Sequence, residues 1–433
     1  MSDMSSMSRE SKKQKLRQRV ISAGAPIPPE LRSELNPDGE ETAVQAYKKA
    51  RRRKLILLVA LLAVIGGAGG GFYYYQRNYQ YVSYETAWQT DMNEGSLVGY
   101  ESFGNNVLKY TKDGASYLDN HGKTVWTESY EMKNPIVTKQ GDYVAIADRQ
   151  GNKIYIFGST GKVGEASTVL PISKVTISGT GIVAAVVEDS TASYVMFYDR
   201  DGSSLQVGIK TIISGDGYVL GEALSEDGTQ LMCSVVYIKN GELKNRVVFY
   251  DFSEVGKNVP DRIVGGFDDP FDGTIVPRVF YMNNSYSCAI SGKGLTFFST
   301  ENIASPALVA QVAVESEIQS VCYNKDYVAM ILKNPSGEYT SSLQVYRKDG
   351  SHMFTKDFTY EYTHLDIDDD LIILYNENSC EIFNMAGVQK LYATFDFTVS
   401  KIRKGRFPNT LVVSGPQQMR EIKIGRASCR ERV

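Results

Sequence analysis

The chain has 433 residues, 42% hydrophobic, 22% charged and 11% aromatic, which excludes a wholly disordered, collagen-like or disulfide-scaffold protein. Its net charge of −3 hides an asymmetry: residues 1–54 carry 13 Lys/Arg against 7 Asp/Glu, a net +6, so the remainder is −9. Three histidines, two tryptophans and five scattered cysteines leave little material for a metal or nucleophile centre.

Residues 1–36 are rich in Ser, Lys, Arg and Pro and lack a periodic apolar face, so a disordered basic tail is expected. At Asn36-Pro37-Asp38 the signals change. Asp38 suits a helix cap and Glu40 and Glu41 suit a first turn, predicting a short helix that leads into an apolar segment. That segment, residues 55–71 (LILLVALLAVIGGAGGG) with Phe72-Tyr73-Tyr74-Tyr75 behind it, is uncharged as far as Gln76. Because about 20 helical residues cross a hydrocarbon core of about 30 Å, a single transmembrane α-helix is expected over residues 55–76.

Lys48, Lys49, Arg51, Arg52, Arg53 and Lys54 precede the span, whereas Arg77 is the only close basic residue after it. The positive-inside rule then gives a single-pass plasma-membrane protein with residues 1–54 cytoplasmic and the rest extracytoplasmic. The tyrosine-rich exit forms an aromatic belt. A cleaved signal peptide is the alternative, since glycines and Ala68 lie near a cleavage site, but a 54-residue leader exceeds the usual length. The basic cluster sets topology, and it suits anionic lipid of the bilayer at about 1 kcal/mol per residue. Gly67 and Gly71 have the G-x-x-x-G spacing of helix pairs. No strand precedes residues 66–71 and no Lys-Ser/Thr follows, so they are no phosphate loop.

From residue 82 onward, short β-branched and aromatic runs alternate with Gly, Asn, Asp and Ser, which is all-β chemistry. A polar turn followed by an apolar strand recurs, as in Gly141-Asp142-Tyr143-Val144-Ala145-Ile146-Ala147 and Asp326-Tyr327-Val328-Ala329-Met330-Ile331. Comparable turns introduce Val107, Val183, Leu231, Ser287, Ile372 and Leu411. The eight anchors are spaced on average about 43 residues apart, and a four-stranded propeller blade takes about 40–50. A second register falls just downstream, at Tyr198-Asp199-Arg200-Asp201-Gly202, Tyr346-Arg347-Lys348-Asp349-Gly350 and Phe383-Asn384-Met385-Ala386-Gly387, where outer hairpins are expected.

The fold class is therefore an all-β, eight-bladed β-propeller over residues 77–423, or a seven-bladed one if a wide interval hides a misread anchor. The eighth unit has strands near 399–402, 410–414 and 420–422 and no fourth. Residues 81–88, which resemble the outer strand at 123–127, are expected to complete it and remove an open edge. Residues 251–277 are the least regular part and are expected to form a long loop.

Asp268, Asp269 and Asp272 in that loop are weak calcium candidates, since Pro270 occupies a ligand position and Val279 replaces the closing Glu. Asp366, Asp368, Asp369 and Asp370 read as a solvated strand-to-strand turn. Cys233, Cys288, Cys322 and Cys380 lie singly in expected strands of different blades, as small buried hydrophobes rather than zinc, redox or disulfide partners. His121, His352 and His364 share no local spacing motif. No residue set points to a catalytic centre or a cofactor. Trp88 and Trp126 are too few for the tryptophan-docking repeats of quinone enzymes, and residues 55–423, with 31 basic and 42 acidic residues, disfavour nucleic acid.

Residues 424–433 (IGRASCRERV) leave the β-rich pattern and resemble the translation of a common sequencing adapter, so they are set apart as a non-native tail.

Three segments carry a family resemblance: Lys109-Tyr110-Thr111-Lys112-Asp113-Gly114-Ala115-Ser116-Tyr117-Leu118-Asp119, Ser225-Glu226-Asp227-Gly228-Thr229-Gln230-Leu231-Met232 and Gly405-Arg406-Phe407-Pro408-Asn409-Thr410-Leu411. With the basic tail and single span, residues 45–423 resemble an uncharacterised family of bacterial membrane proteins, mostly of Gram-positive type, classed as a domain of unknown function. The resemblance implies an anchored extracytoplasmic WD40-like propeller and supplies no catalytic residues. The functional expectation is a non-enzymatic scaffold for an envelope protein or glycan. The alternative is a small-ligand receptor or an enzyme with its site at the central channel.

Overall fold

The computed structural model describes residues 37–81, 83–92, 99–335 and 337–425. The tail at 1–36 and residues 426–433 of the C-terminal segment lie outside the described residues. The chain divides into two compact units, Met1–Asn78 and Tyr79–Val433.

In the first unit, Pro37–Asn78 is one continuous α-helix of 42 residues. The short leading helix and the apolar span are thus a single element. Pro37, not Asp38, stands at its start, where a fixed φ suits the first turn and the missing N–H costs no bond. Its Tyr47–Tyr75 part is long and apolar enough to cross a membrane. Leu55, Leu57, Val64 and Phe72 are all exposed along it, as a lipid-facing or leader helix requires and a water-facing one does not tolerate.

The second unit contains eight four-stranded antiparallel sheets. Seven are built from consecutive strands, spanning 99–129, 135–167, 172–212, 218–267, 278–313, 318–358 and 364–394; these are blades 1 to 7. Blade 8 joins Lys401–Lys404, Thr410–Ser414 and Gln418–Gly425 to Ser83–Asp91, at the other end of the unit. The first strands of neighbouring blades approach one another, so they are innermost.

All eight sequence anchors fall in the second strands, and all eight are fully buried. Val183–Glu188 (VAAVVE) and Leu371–Tyr375 (LIILY) read as continuous apolar runs because each is covered on both faces by adjoining blades. The outer strands alternate instead, as in Ala307–Ala313, since one face meets solvent. An apolar cluster fills every blade-to-blade interface, from Phe103, Leu108 and Ile146 between blades 1 and 2 to Ile382, Leu411 and Ile422 between blades 7 and 8.

The second register marks the turns between third and outer strands. Gly202 has φ +88°, and a Cβ there would run into the Glu165 carbonyl on the outer strand of blade 2. Gly350 and Gly387 repeat the arrangement against Ala310 and Phe354 of their preceding blades. Glycine is required at these turns both for the left-handed backbone and for the close approach.

Ser83–Asp91 pairs with Gln418–Gly425 from Ser83↔Gly425 to Asp91↔Gln418, as the outer strand of blade 8. Trp88 donates Nε1–H to Glu421 Oε2 at 2.8 Å and packs beside Tyr100, Val107, Val412 and Met419. Those four are the buried members of the cluster between blades 8 and 1, against fourteen between blades 7 and 8. The ring therefore closes at its least apolar joint.

Two expectations are corrected. Residues 251–277 are not all loop: after two 3-10 turns, Ile263–Phe267 pairs with Val247–Tyr250 as the outer strand of blade 4. An edge strand needs one partner only, so Gly265 and Gly266 do not prevent it. The β pattern also persists beyond 423, because Ile424 is buried and pairs with Tyr84.

Gly202→Ala is expected to destabilise the protein by more than about 1 kcal/mol. Gly266→Ala, at a site open to solvent, should stay within about 0.5 kcal/mol of the parent; denaturant midpoints of the two variants check this. Trp88→Ala should cost about 2 kcal/mol by the same measurement, less than a fully buried Trp because the side chain is only partly buried.

Candidate functional site

The inner strands of blades 7, 8, 1 and 2 converge at one mouth of the central channel, around a cavity of about 300 Å³. Lys401, the first residue of the inner strand of blade 8, places Nζ 3.1 Å from Asp366 Oδ2 of blade 7 and 3.3 Å from Glu101 Oε2 of blade 1. Glu101 Oε2 is also 2.9 Å from Lys139 Nζ of blade 2. Four alternating charges thus lace four successive inner strands. Burial opposes the charge on Glu101, yet Lys139 and Lys401 outweigh it and hold the carboxyl below its ordinary range. Burial likewise opposes the charge on Lys401, and Asp366 and Glu101 outweigh it and push the ammonium upward.

The same joint carries further polar contacts. Arg403 donates to the carbonyls of Asn105 and Asn106 and, at 2.8 Å, to Asn120 Oδ1 of blade 1. Lys404 donates its backbone N–H to Asp368 Oδ2 at 2.7 Å and contacts Asp369 and Asp370 at 2.6 Å. The aspartate run is therefore not simply a solvated turn. Asp366 lies within the inner strand His364–Asp368, bound to Lys401 and to the Tyr375 hydroxyl, because a strand facing the channel has a buried cation to match.

On the inner strand of blade 4, Glu222 stands apart. The residue is half-buried, but its Oε2 is sealed from solvent and has no hydrogen-bond partner among the described residues. Burial pushes its carboxyl up to about 8; Lys174 offsets part of this and Glu188 adds to it. Nearby, Tyr218 donates to Glu188 at 2.9 Å, and Lys174 Nζ lies 5.3 Å from the Tyr218 ring centroid.

Asp268 and Asp272 do not converge on one point. Asp268 accepts from the Tyr237 hydroxyl at 2.6 Å and lies 3.8 Å from Arg246 Nε, Asp272 pairs with Lys244 at 2.8 Å, and Asp269 is exposed. His121 packs on Trp88, His352 on Tyr346 and His364 on Tyr375, in three separate blades. Cys233, Cys288, Cys322 and Cys380 are free thiols, and burial pushes each upward, Cys380 to about 12. Lys401, Lys139, Glu101 and Glu222 escape a reading by local motif. One signal was available: Glu101 and Asp366 both stand six residues before their blade anchors, Val107 and Ile372, and so occupy the same place in two blades.

The sequence matches the Family of unknown function (DUF5711) over residues 77–424, and the chain belongs to that family. No curated protein matches it. Among solved structures it is similar to Sqt1 of Chaetomium thermophilum bound to the N-terminus of the ribosomal protein L10, with 11% identity and a TM-score of 0.51 over 79% of this chain and all of that one. It is similar also to BamB of Moraxella catarrhalis, with 13% identity and a TM-score of 0.48 over 79% of this chain and 100% of the other. At 11% identity the likeness to Sqt1 shows the fold alone.

A pH profile separates Glu222 from the ion-pair lace. The native state binds a proton at Glu222 that the unfolded chain releases near its ordinary 4.5, so this group's contribution to stability falls as pH rises from 4.5 to about 8. Glu101 loses its contribution only as pH falls below about 4.5, and Lys401 only as pH rises above about 10.5. Glu222→Gln should therefore flatten the decline in denaturant midpoint between pH 5 and 8.

Proposed function

We propose that this chain is a single-pass membrane protein whose propeller stands outside the cytoplasm and serves, without catalysis, as an interaction scaffold for an envelope protein or glycan. The helix and its basic N-terminal flank support the anchoring and the orientation. The observation that carries the scaffold reading is how the channel-mouth charges are spent. Glu101, Asp366, Lys139 and Lys401 are matched to one another between blades, so they hold the ring rather than await a substrate.

The surface offers a separate contact point. The long second and third strands of blade 4, Gln230–Lys239 and Glu242–Asp251, form a hairpin whose paired Ile238 and Leu243 are 75% and 55% exposed. Two large apolar side chains held side by side at a hairpin tip suit a protein partner.

A second reading, a small-ligand receptor or an enzyme, is favoured by the 300 Å³ cavity at the channel mouth, where Asp366 and Lys401 both reach the wall. Crosslinking on intact cells followed by affinity purification separates the two. The scaffold reading expects a saturable protein or glycan above an anchor-only control, with protein capture reduced at least tenfold by the double variant Ile238→Asp, Leu243→Asp. Recovery of a small molecule, retained by that variant and lost in Asp366→Asn, would replace the scaffold with the receptor.

A further inference from the structure

Between the outer halves of blades 6 and 7 lies a cavity of about 540 Å³, distinct from the channel mouth, and three tyrosines stand in its wall. Tyr360, just after the outer strand of blade 6, and Tyr392, on the outer strand of blade 7, set their rings 6.0 Å apart at 88°, forming a corner. The corner is rigid on one side, because Tyr360 donates its hydroxyl to the Ser379 carbonyl at 2.8 Å. Tyr392 is 50% exposed and Tyr339, across the opening, 39% exposed, so both present aromatic surface to an incoming group.

Glu381, the direct cross-strand partner of Tyr392, also lines the cavity. Its Oε1 accepts from Gln389 Nε2 at 3.0 Å. Its Oε2 is enclosed and has no hydrogen-bond partner among the described residues. Burial pushes this carboxyl upward, with Lys356 offsetting part of the effect. A buried carboxylate with one unpartnered oxygen is costly in the empty protein, and a cation seated in the cavity beside it offsets that cost through its charge, without needing to touch the enclosed oxygen. Asp357 and Glu361 also line the cavity, so its lining carries three carboxylates and one ammonium, that of Lys356.

We propose that this cavity binds an alkylammonium group, primary or quaternary, seated against Tyr360 and Tyr392 with Glu381 as its counter-ion. Cations sit over tyrosine faces through the ring quadrupole, and perpendicular rings allow two such contacts at once. A neutral saccharide would also stack on the tyrosines, but it would leave the excess negative charge unmatched. The volume admits a ligand larger than the ammonium itself, so the group comes attached to a body that lies towards Tyr339.

The test is calorimetric titration of the full-length chain in a nonionic detergent with choline, with butylammonium, and with 3,3-dimethylbutan-1-ol, which has choline's shape without its charge. Both ammonium probes are expected to bind saturably and the neutral alcohol at least tenfold more weakly. Tyr392→Ala and the isosteric Glu381→Gln should each weaken choline by about tenfold. Neither change is expected to shift the unfolding midpoint by more than a few degrees, since one side chain is half exposed and the other keeps its shape. Binding of choline but not butylammonium supports a quaternary headgroup as the source, and the reverse supports a lysine-like amine. Equal binding of the neutral alcohol, binding unchanged in both variants, or no binding of either ammonium overturns the proposal.

Discussion

Everything in the propeller unit depends on the pairing of Ser83–Asp91 with Gln418–Gly425. A radial array of sheets buries its apolar second strands only if every blade has a neighbour on both sides, and the first and last blades become neighbours only when the ring closes. Supplying the outer strand of blade 8 from the opposite end of the unit ties the two ends by a backbone ladder and spares blade 8 an incomplete edge. It also explains why the eighth unit has three strands of its own.

Closure falls at the joint with the fewest buried apolar side chains, and blade 8 makes up the difference with charge. Lys401, Arg403 and Glu421 are all buried there, and each contacts another blade or the closing strand. Polar contacts of this kind contribute less net stability than apolar packing of the same area, because each charge is desolvated on folding. They are directional, however. An ion pair between Lys401 and two carboxylates in different blades forms only when eight blades have brought both to the same mouth, so the lace specifies ring size and register as well as holding the joint. Glu222 and Glu381 show the opposite case: each keeps a sealed carboxylate oxygen without a partner among the described residues, and such groups are where a folded protein stores a demand for a proton or a ligand.

The blade count, the buried second strands, the glycine turns and the closing strand were legible in the sequence. They were legible because a propeller repeats one physical problem eight times: Val107 and Ile372 face the same two-sided burial, and Gly202 and Gly387 the same close approach. What repetition does not encode was hidden. Ile263–Phe267 was hidden because Gly265 and Gly266 interrupt its apolar pattern, which an outer strand paired on one edge tolerates. Asp366 looked like part of a polar turn because its partner, Lys401, lies on a different blade. The tyrosine corner escaped for the same reason, since Tyr360 and Tyr392 meet only through the packing of blade 6 on blade 7.

The division of labour that emerges is spatial. The inner strands of blades 7, 8, 1 and 2 spend their charges on one another, middle strands bury apolar surface, and the outer strands and hairpin tips carry what remains free: Ile238 and Leu243 on blade 4 and the tyrosines between blades 6 and 7. All of it presupposes a closed ring. Hydrogen exchange of the full-length chain tests that closure most directly: the amides of residues 83–91 that bond to 418–425 should be protected to the same degree as their partners, and the two segments should open together in denaturant. Rapid exchange of 83–91 while 410–414 stays protected would contradict it.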